Sequence, residues 1–137
     1  MSRILVALDG LSSSEKALEA AVKLAQHNGG QVTAVTVLDR SGDPHLESIT
    51  EGVKAKVRCH LEMILQAAAN FARSRGVHLT PVLREGHPAE AIIAYAEQEG
   101  TELLVMGSNN ATVTGPDLGG TADQISGHAP CTVMIVK

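Results

Sequence analysis

Aromatic residues are almost absent from this chain, which has one Phe, one Tyr and no Trp among its 137 residues. Proteins that bind single-stranded nucleic acid normally stack the bases on several aromatic side chains beside a basic groove. The formal net charge of -4 at pH 7 and the isoelectric point near 5.8 predict no basic surface of that kind. We therefore expect no nucleic-acid partner.

Long apolar runs are lacking as well. No run approaches the roughly 18 residues that a membrane helix needs, and no charged segment precedes an apolar signal core. We therefore expect a cytoplasmic protein with no membrane segment.

Cysteine is scarce, with only Cys59 and Cys131. The two residues form no C-x-x-C pair and have no His at zinc-finger spacing, so the sequence predicts neither a zinc site nor a disulfide framework. We expect each thiol to be a small core residue.

The residues that are plentiful are aliphatic, and the apolar fraction reaches 44%. A chain of this length forms one compact domain with a single core, so we expect one domain over residues 1–137. Apolar runs typical of strands alternate with segments of helical periodicity, and alternation of this kind predicts a doubly wound α/β fold with a parallel sheet. The predicted strands are 3–8, 31–38, 77–84, 102–106 and 132–136. The predicted helices start at Ser12, after the turn at 41–44, at Glu90 and near Gly120. Gly29 and Gly30 end the first of them, and Val53 and Val57 belong to the apolar face of the second.

Pro81 lies inside the third predicted strand. Because proline cannot donate a hydrogen bond to a ladder, we expect this strand at an edge of the sheet or with a bulge.

A glycine-rich loop follows the fourth predicted strand, where open α/β sheets bind their ligands. Gly107 opens the loop, and Gly120 and Thr121 close it at a predicted helix start. Glycines let backbone N–H groups converge on an anion, and a helix N-terminus adds further donors. The same residue types also form ordinary surface turns, so the spacing alone leaves both interpretations open.

These residues resemble the universal stress protein (UspA) family, whose motif G-x2-G-x9-G-[S/T] lies between the fourth and fifth strands. Gly107, Gly120 and Thr121 match that motif in order and spacing, with Asn110 at its second glycine. The resemblance extends over the whole chain, through Asp9, residues 36–39, residues 86–88 and residues 128–133. It implies five parallel strands in the order 3-2-1-4-5, with helices on both faces, and a homodimer formed through the strand at 131–136.

The resemblance also implies a site for an adenine nucleotide, ATP or AMP, with Mg²⁺ accompanying ATP. Asp9 would contact the ribose or adenine region, and Val37 would meet the adenine through its main chain. The residues that would line the site are Ala7, Asp9, Val37, Met106, Gly107, Asn110, Gly120, Thr121 and Ala122. Asp9 has an alternative role as the turn residue after the first strand.

Two features separate this chain from the family pattern. Asn110 replaces a glycine, although Asn tolerates the left-handed backbone conformation well. No Lys or Arg occurs between Arg84 and Lys137, so the loop has no cation of its own and favours AMP or ADP over ATP.

We therefore expect a regulatory module that binds an adenine nucleotide. No general base stands at a suitable position, so we expect no defined turnover and slow ATP hydrolysis at most. The alternative is a dimeric interaction module with a degenerate site that acts without nucleotide. His87 and His128 each lie near a proline at an element boundary, a position that is more often structural than functional.

Overall fold

The computed structural model describes residues 2–10, 12–39, 51–108 and 121–137. Strands and helices alternate along them. The strands are β1 (Arg3–Ala7), β2 (Gln31–Asp39), β3 (Leu79–Gly86), β4 (Leu103–Gly107) and β5 (Thr132–Val136), and the helices are α1 (Ser12–Asn28), α2 (Glu51–Ser74), α3 (Pro88–Gln98) and α4 (Thr121–His128). The predicted elements are confirmed, with boundaries that move by a few residues at most among those described.

The five strands form one parallel sheet in the order β3-β2-β1-β4-β5. The order expected from the resemblance is confirmed. β3 lies at one edge, as expected from Pro81, which sits in the ladder opposite Ala34. β5 lies at the other edge of the described sheet.

Alternate residues of β1 point to opposite faces of the sheet and belong to two apolar clusters. Ile4, Val6 and Leu8 pack against α1 and α2. Leu5 and Ala7 pack against α3 and α4. Because helices cover both faces of the sheet, the sequence of β1 is a continuous apolar run and does not alternate between apolar and polar residues.

The β1–α1 connection explains why α1 begins where it does. Gly10 adopts a φ of 84° and turns the chain, and α1 starts two residues later at Ser12. Ser13 and Ser14 are buried, and the Asp9 backbone N–H donates to Ser14 Oγ at 3.4 Å. The serines therefore act at the helix start, as the sequence indicates.

The N-terminal half of α2 departs from the sequence expectation. Helical spacing places Val53 and Val57 on the core face of the helix, yet they are 44% and 40% exposed. Arg58, the next residue, forms an ion pair with Glu85 near the end of β3. Since α2 runs antiparallel to the strands, the residues before Arg58 extend past the sheet and have no strand to cover.

The cysteines differ from one another in environment. Cys131 is half-buried and packs against the cluster beneath α3 and α4, as expected of a core thiol. Cys59 is exposed on α2, so its assignment to the core was wrong. The helical spacing of α2 places position 59 away from the sheet.

In the parts of the chain that the structure describes, no helix is long and apolar enough to cross a membrane.

Candidate nucleotide site at the carboxyl edge of the sheet

The strands do not end at the same height at the carboxyl edge. The β1–β2 ladder ends at the pair Ala7 and Val35, whereas β2 continues to Asp39 and β3 to Gly86. The two longer strands therefore extend beyond the end of β1. We call the space next to this extension, just past Ala7 and Gly107 at the carboxyl edge of the sheet, the crevice.

Val37 presents main-chain groups to the crevice. The Leu8 N–H donates to the Val35 carbonyl at 2.9 Å, so the carbonyl of Val35 points toward β1. Because the direction of main-chain groups alternates along a strand, the N–H and C=O of Val37 also point toward β1. In the described ladder β1 has already ended at that height, and no strand residue pairs with Val37 on this side. An unpaired donor and acceptor on one residue are suited to a planar ligand with the complementary pair.

Three of the expected site residues share one face of the sheet. Ala7, Met106 and Val37 all belong to or pack against the apolar cluster beneath α3 and α4. Ala7 and Met106 are 3% and 0% exposed. Their side chains therefore build the floor beneath the crevice, whereas Val37 borders the crevice itself.

Asp9 lies two residues beyond β1 and is part-buried. Its backbone N–H is held by Ser14 Oγ, which fixes the first residues of the β1–α1 turn beside the crevice. Asp9 is therefore a residue of the turn after β1, and its contact with a nucleotide stays a prediction.

Gly107 ends β4 in direct contact with the start of α1. A Cβ atom at Gly107 would lie 2.5 Å from the carbonyl carbon of Ser13 and 2.5 Å from Ser13 Oγ. Such distances are shorter than any real Cβ contact, so this glycine is required by packing whether or not a phosphate is bound. From the sequence, only phosphate binding indicated a glycine at this position.

The phosphate side of the expected site is described in part. Thr121 and Ala122 are the first two residues of α4, so their N–H groups belong to the free donors at a helix N-terminus. Asn110 and Gly120 lie outside the described residues.

One charged residue of β3, Arg84, lies level with Val37, a relationship that sequence reasoning did not show. Arg84 is the ladder partner of Val37, and its guanidinium carbon lies 5.1 Å from the centre of the Tyr95 ring. Only the register of β2 against β3 reveals this proximity, because the two residues are far apart in sequence. The described residues contain no group of three or more His, Cys, Asp or Glu side chains arranged to hold a metal ion.

A surface depression of about 270 Å³ lies elsewhere, at the end of α2 and the start of β3, and is lined by Ala69, Arg73, Gly76, Val77, His78 and Leu79. Because β3 starts at the amino edge of the sheet, this depression and the crevice are at opposite ends of the molecule.

Comparisons with known proteins agree with this fold. The model of the universal stress protein family matches residues 1–137. The chain is 30% identical over 146 aligned positions to universal stress protein YxiE of Bacillus subtilis, with 99% of each chain covered. The structure of universal stress protein UspA from Lactobacillus plantarum superposes with a TM-score of 0.88 at 25% identity, covering 99% of this chain and 97% of that one.

Two further similar structures contain nucleotides. A universal stress protein solved in complex with cAMP has a TM-score of 0.79 at 21% identity, covering 99% of this chain and 97% of that one. The universal stress protein from Archaeoglobus fulgidus in complex with dAMP has a TM-score of 0.76 at 20% identity, covering 100% and 98%. At these identities the likeness establishes the shared fold.

Proposed function

The chain belongs to the universal stress protein family, and on this premise we propose that it binds an adenine nucleotide in the crevice and acts as a cytoplasmic regulatory module. The observation that carries the proposal is the open main chain of Val37. Adenine presents a ring nitrogen acceptor beside an amino donor, which is the complement of one backbone N–H and one C=O.

The remaining residues would hold the sugar and the phosphate. Asp9, fixed by Ser14, would accept from a ribose hydroxyl. The N-terminus of α4, at Thr121 and Ala122, and the motif residues Asn110 and Gly120 would surround the phosphate with backbone donors.

The charge of the chain favours a ligand with one phosphate. Residues 85–136 contain no Lys or Arg, so the loop and α4 would offer a triphosphate only backbone dipoles unless Mg²⁺ accompanied it. The cAMP and dAMP complexes of the two structural neighbours support this preference, because both ligands are adenine monophosphates. We therefore propose AMP as the better ligand and ATP with Mg²⁺ as the weaker one, with slow hydrolysis of ATP at most.

A second function rests on β5. This strand lies at the edge of the described sheet, and Ile135 within it is 41% exposed. An apolar edge strand is a template for pairing with another copy, and a two-fold axis would bury both edges. A homodimer that works through protein contacts without nucleotide is thus the alternative to the nucleotide-dependent module.

Ligand release and titration decide between the two functions. Mass spectrometry of material released from the purified protein under denaturing conditions should detect an adenine nucleotide, and titration calorimetry should give saturable binding of AMP, and of ATP more strongly with Mg²⁺ than without. No released nucleotide and no saturation at millimolar ligand would overturn the proposal and leave the interaction module.

A pair of glycine variants locates the site. Gly120→Val should abolish binding because its side chain would fill the space of the phosphate. The matched control is Gly127→Ala at the far end of α4, where an added Cβ meets no atom within 4 Å. Equal affinity of the two variants would argue against a phosphate site at the start of α4.

A further inference from the structure

The main-chain groups of β3 point alternately toward β2 and toward the outer edge of the sheet. The Leu8 N–H donates to the Val35 carbonyl at 2.9 Å, so the main-chain groups of Val35 point toward β1. Those of the preceding residue, Ala34, therefore point toward β3, where Ala34 is paired with Pro81. In a parallel ladder, a residue whose groups point across bonds to the two neighbours of its partner, and the partner itself points away. The main chain of Pro81 thus faces the outer edge.

This placement of Pro81 leaves the ladder intact and removes a donor from the free edge. A proline at position 80 or 82 would take away an N–H that bonds to β2. At position 81 no ladder bond is lost, but the outer edge lacks an N–H near the middle of the strand. Pro81 is also exposed. A strand that approached β3 from outside would therefore find an acceptor at this residue and no donor.

The next outward residue, Leu83, has a carbonyl that is already engaged. Arg84 Nη1 donates to the Leu83 carbonyl at 3.3 Å, and the guanidinium carbon of Arg84 lies 5.1 Å from the centre of the Tyr95 ring. A strand that paired with Leu83 would have to displace this bond and remove water from a charged group. Two successive outward positions of β3 are thus unsuited to pairing.

The opposite edge of the described sheet has neither feature. By the same alternation, the main chain of Leu5 points toward β4 and that of Leu104, its partner, points toward β5. Val133 is paired with Leu104, so Val133 and, two residues later, Ile135 face the outer edge of β5. Both carry an N–H, and β5 contains no proline and no charged side chain. The two edges therefore differ in their capacity to accept a strand.

We propose that Pro81, assisted by Arg84, closes the β3 edge to strand addition, so that copies of this chain can pair through β5 alone. A sheet with two open edges can add a copy at each and grow without limit, whereas a sheet with one open edge stops at a pair. Pro81 therefore determines which surface of the protein accepts a second copy and where assembly stops. The inference does not depend on nucleotide binding.

Variants of two neighbouring residues test the proposal. Pro81→Thr restores an N–H at the outer edge. Thr80→Val makes an exposed position of the same strand more apolar without adding a donor there, because the main chain of Thr80 points toward β2. In sedimentation velocity from micromolar to millimolar protein, Pro81→Thr should form species larger than those of the wild type, in amounts that rise with concentration. Thr80→Val should sediment as the wild type does.

Two double variants assign the association to its residues. Combined with Ile135→Glu, which places a charge on β5, Pro81→Thr should stop at a dimer, because only the β3 edge is then open. Combined with Arg84→Ala, Pro81→Thr should form a larger proportion of the large species, because the Leu83 carbonyl is released. An unchanged proportion would remove Arg84 from the proposal.

Hydrogen exchange of the wild-type protein tests the geometry without any substitution. The outward amide of Leu83 should exchange about tenfold faster, or more, than the amides of Val82 and Arg84, which point toward β2. Equal protection of Leu83 and Val82 would mean that the outer edge is already paired, and it overturns the proposal even if Pro81→Thr does not fold. Sedimentation of folded Pro81→Thr like that of the wild type, or equal association of Thr80→Val, overturns it as well.

Discussion

The backbone of Ser13 occupies the space in which a side chain on Gly107 would stand. A Cβ atom built on Gly107 would lie 2.5 Å from the Ser13 carbonyl carbon and 2.6 Å from its oxygen. The end of β4 and the first turn of α1 are therefore in contact at the level of the main chain. The lack of a side chain at Gly107 thus allows β4 and α1 to come into contact at the edge where the nucleotide is proposed to bind.

We expect Gly107→Ala to destabilise the protein in the absence of any nucleotide. The added methyl meets backbone atoms, which cannot move aside as a flexible side chain can, so we expect a loss of about 2–3 kcal/mol in the free energy of unfolding. Urea denaturation of nucleotide-free protein measures it. Gly127→Ala, with open space around its Cβ, should keep or slightly raise the stability. Equal stability of the two variants would show that the contact at Ser13 is looser than described.

Met106 and Met63 form a natural pair for testing the core. Met106 is 0% exposed below the crevice, whereas Met63 is 66% exposed on α2. Met106→Ala should lower the free energy of unfolding by about 2–5 kcal/mol through lost burial and a cavity. Met63→Ala should change it by less than about 0.5 kcal/mol. Thermal or urea unfolding of both variants checks this, and a small effect at Met106 would contradict the packing of the crevice floor.

The two cysteines should react with iodoacetamide at different rates. Burial raises the pKa of the Cys131 thiol, and a backbone hydrogen bond with Leu104 lowers it by a smaller amount. A raised thiol pKa leaves less thiolate at any pH below it, and the thiolate is the nucleophile. At pH 8 we therefore expect Cys131 to be alkylated several-fold more slowly than the exposed Cys59.

Peptide mass spectrometry over time, with Cys59→Ser and Cys131→Ser as single-thiol controls, measures the two rates. The rate at Cys131 should continue to rise as the pH is increased above 9, where more of the thiolate forms. Faster alkylation of Cys131 than of Cys59 would contradict its half-buried environment.

If β5 pairs with its copy in solution, a charge on that strand should weaken the dimer. Ile135→Glu places two like charges near the two-fold axis of the paired edges, and we expect sedimentation velocity to show a shift from dimer to monomer at micromolar protein. Met63→Glu introduces the same charge on an exposed apolar position of α2 and should leave the distribution unchanged. A wild-type protein that sediments as a monomer would remove the basis for this prediction.

Local signals account for most of the predicted architecture. The apolar run before Asp9, the serines at 12–14 and the glycine at 29 predict a strand, a helix start and a helix end, and the structure has all three there. Pro81 indicates an edge strand because it lacks the N–H that an inner ladder requires, and β3 is an edge strand. The order of the five strands came from the resemblance to the family, since the residues of single segments do not show how the strands are arranged.

The errors share one cause. Val53, Val57 and Cys59 were assigned to the core from helical spacing or residue type alone, yet all three are exposed. Spacing identifies the apolar side of a helix but not how far the helix extends beyond the strands it covers. How far α2 extends past the sheet depends on where β2 and β3 end.

By itself, then, the sequence determined the alternating elements, the parallel α/β class and the glycine loop after β4, because these depend on periodicity and on the conformations that Gly and Pro permit or forbid within one segment. Only the tertiary structure decided that Gly107 touches Ser13, that Val37 extends beyond the end of β1 beside Arg84, and that the main chain of Pro81 faces the outer edge of β3. These relationships join residues far apart in the chain. They follow from strand lengths, register and helix placement, which no single segment specifies.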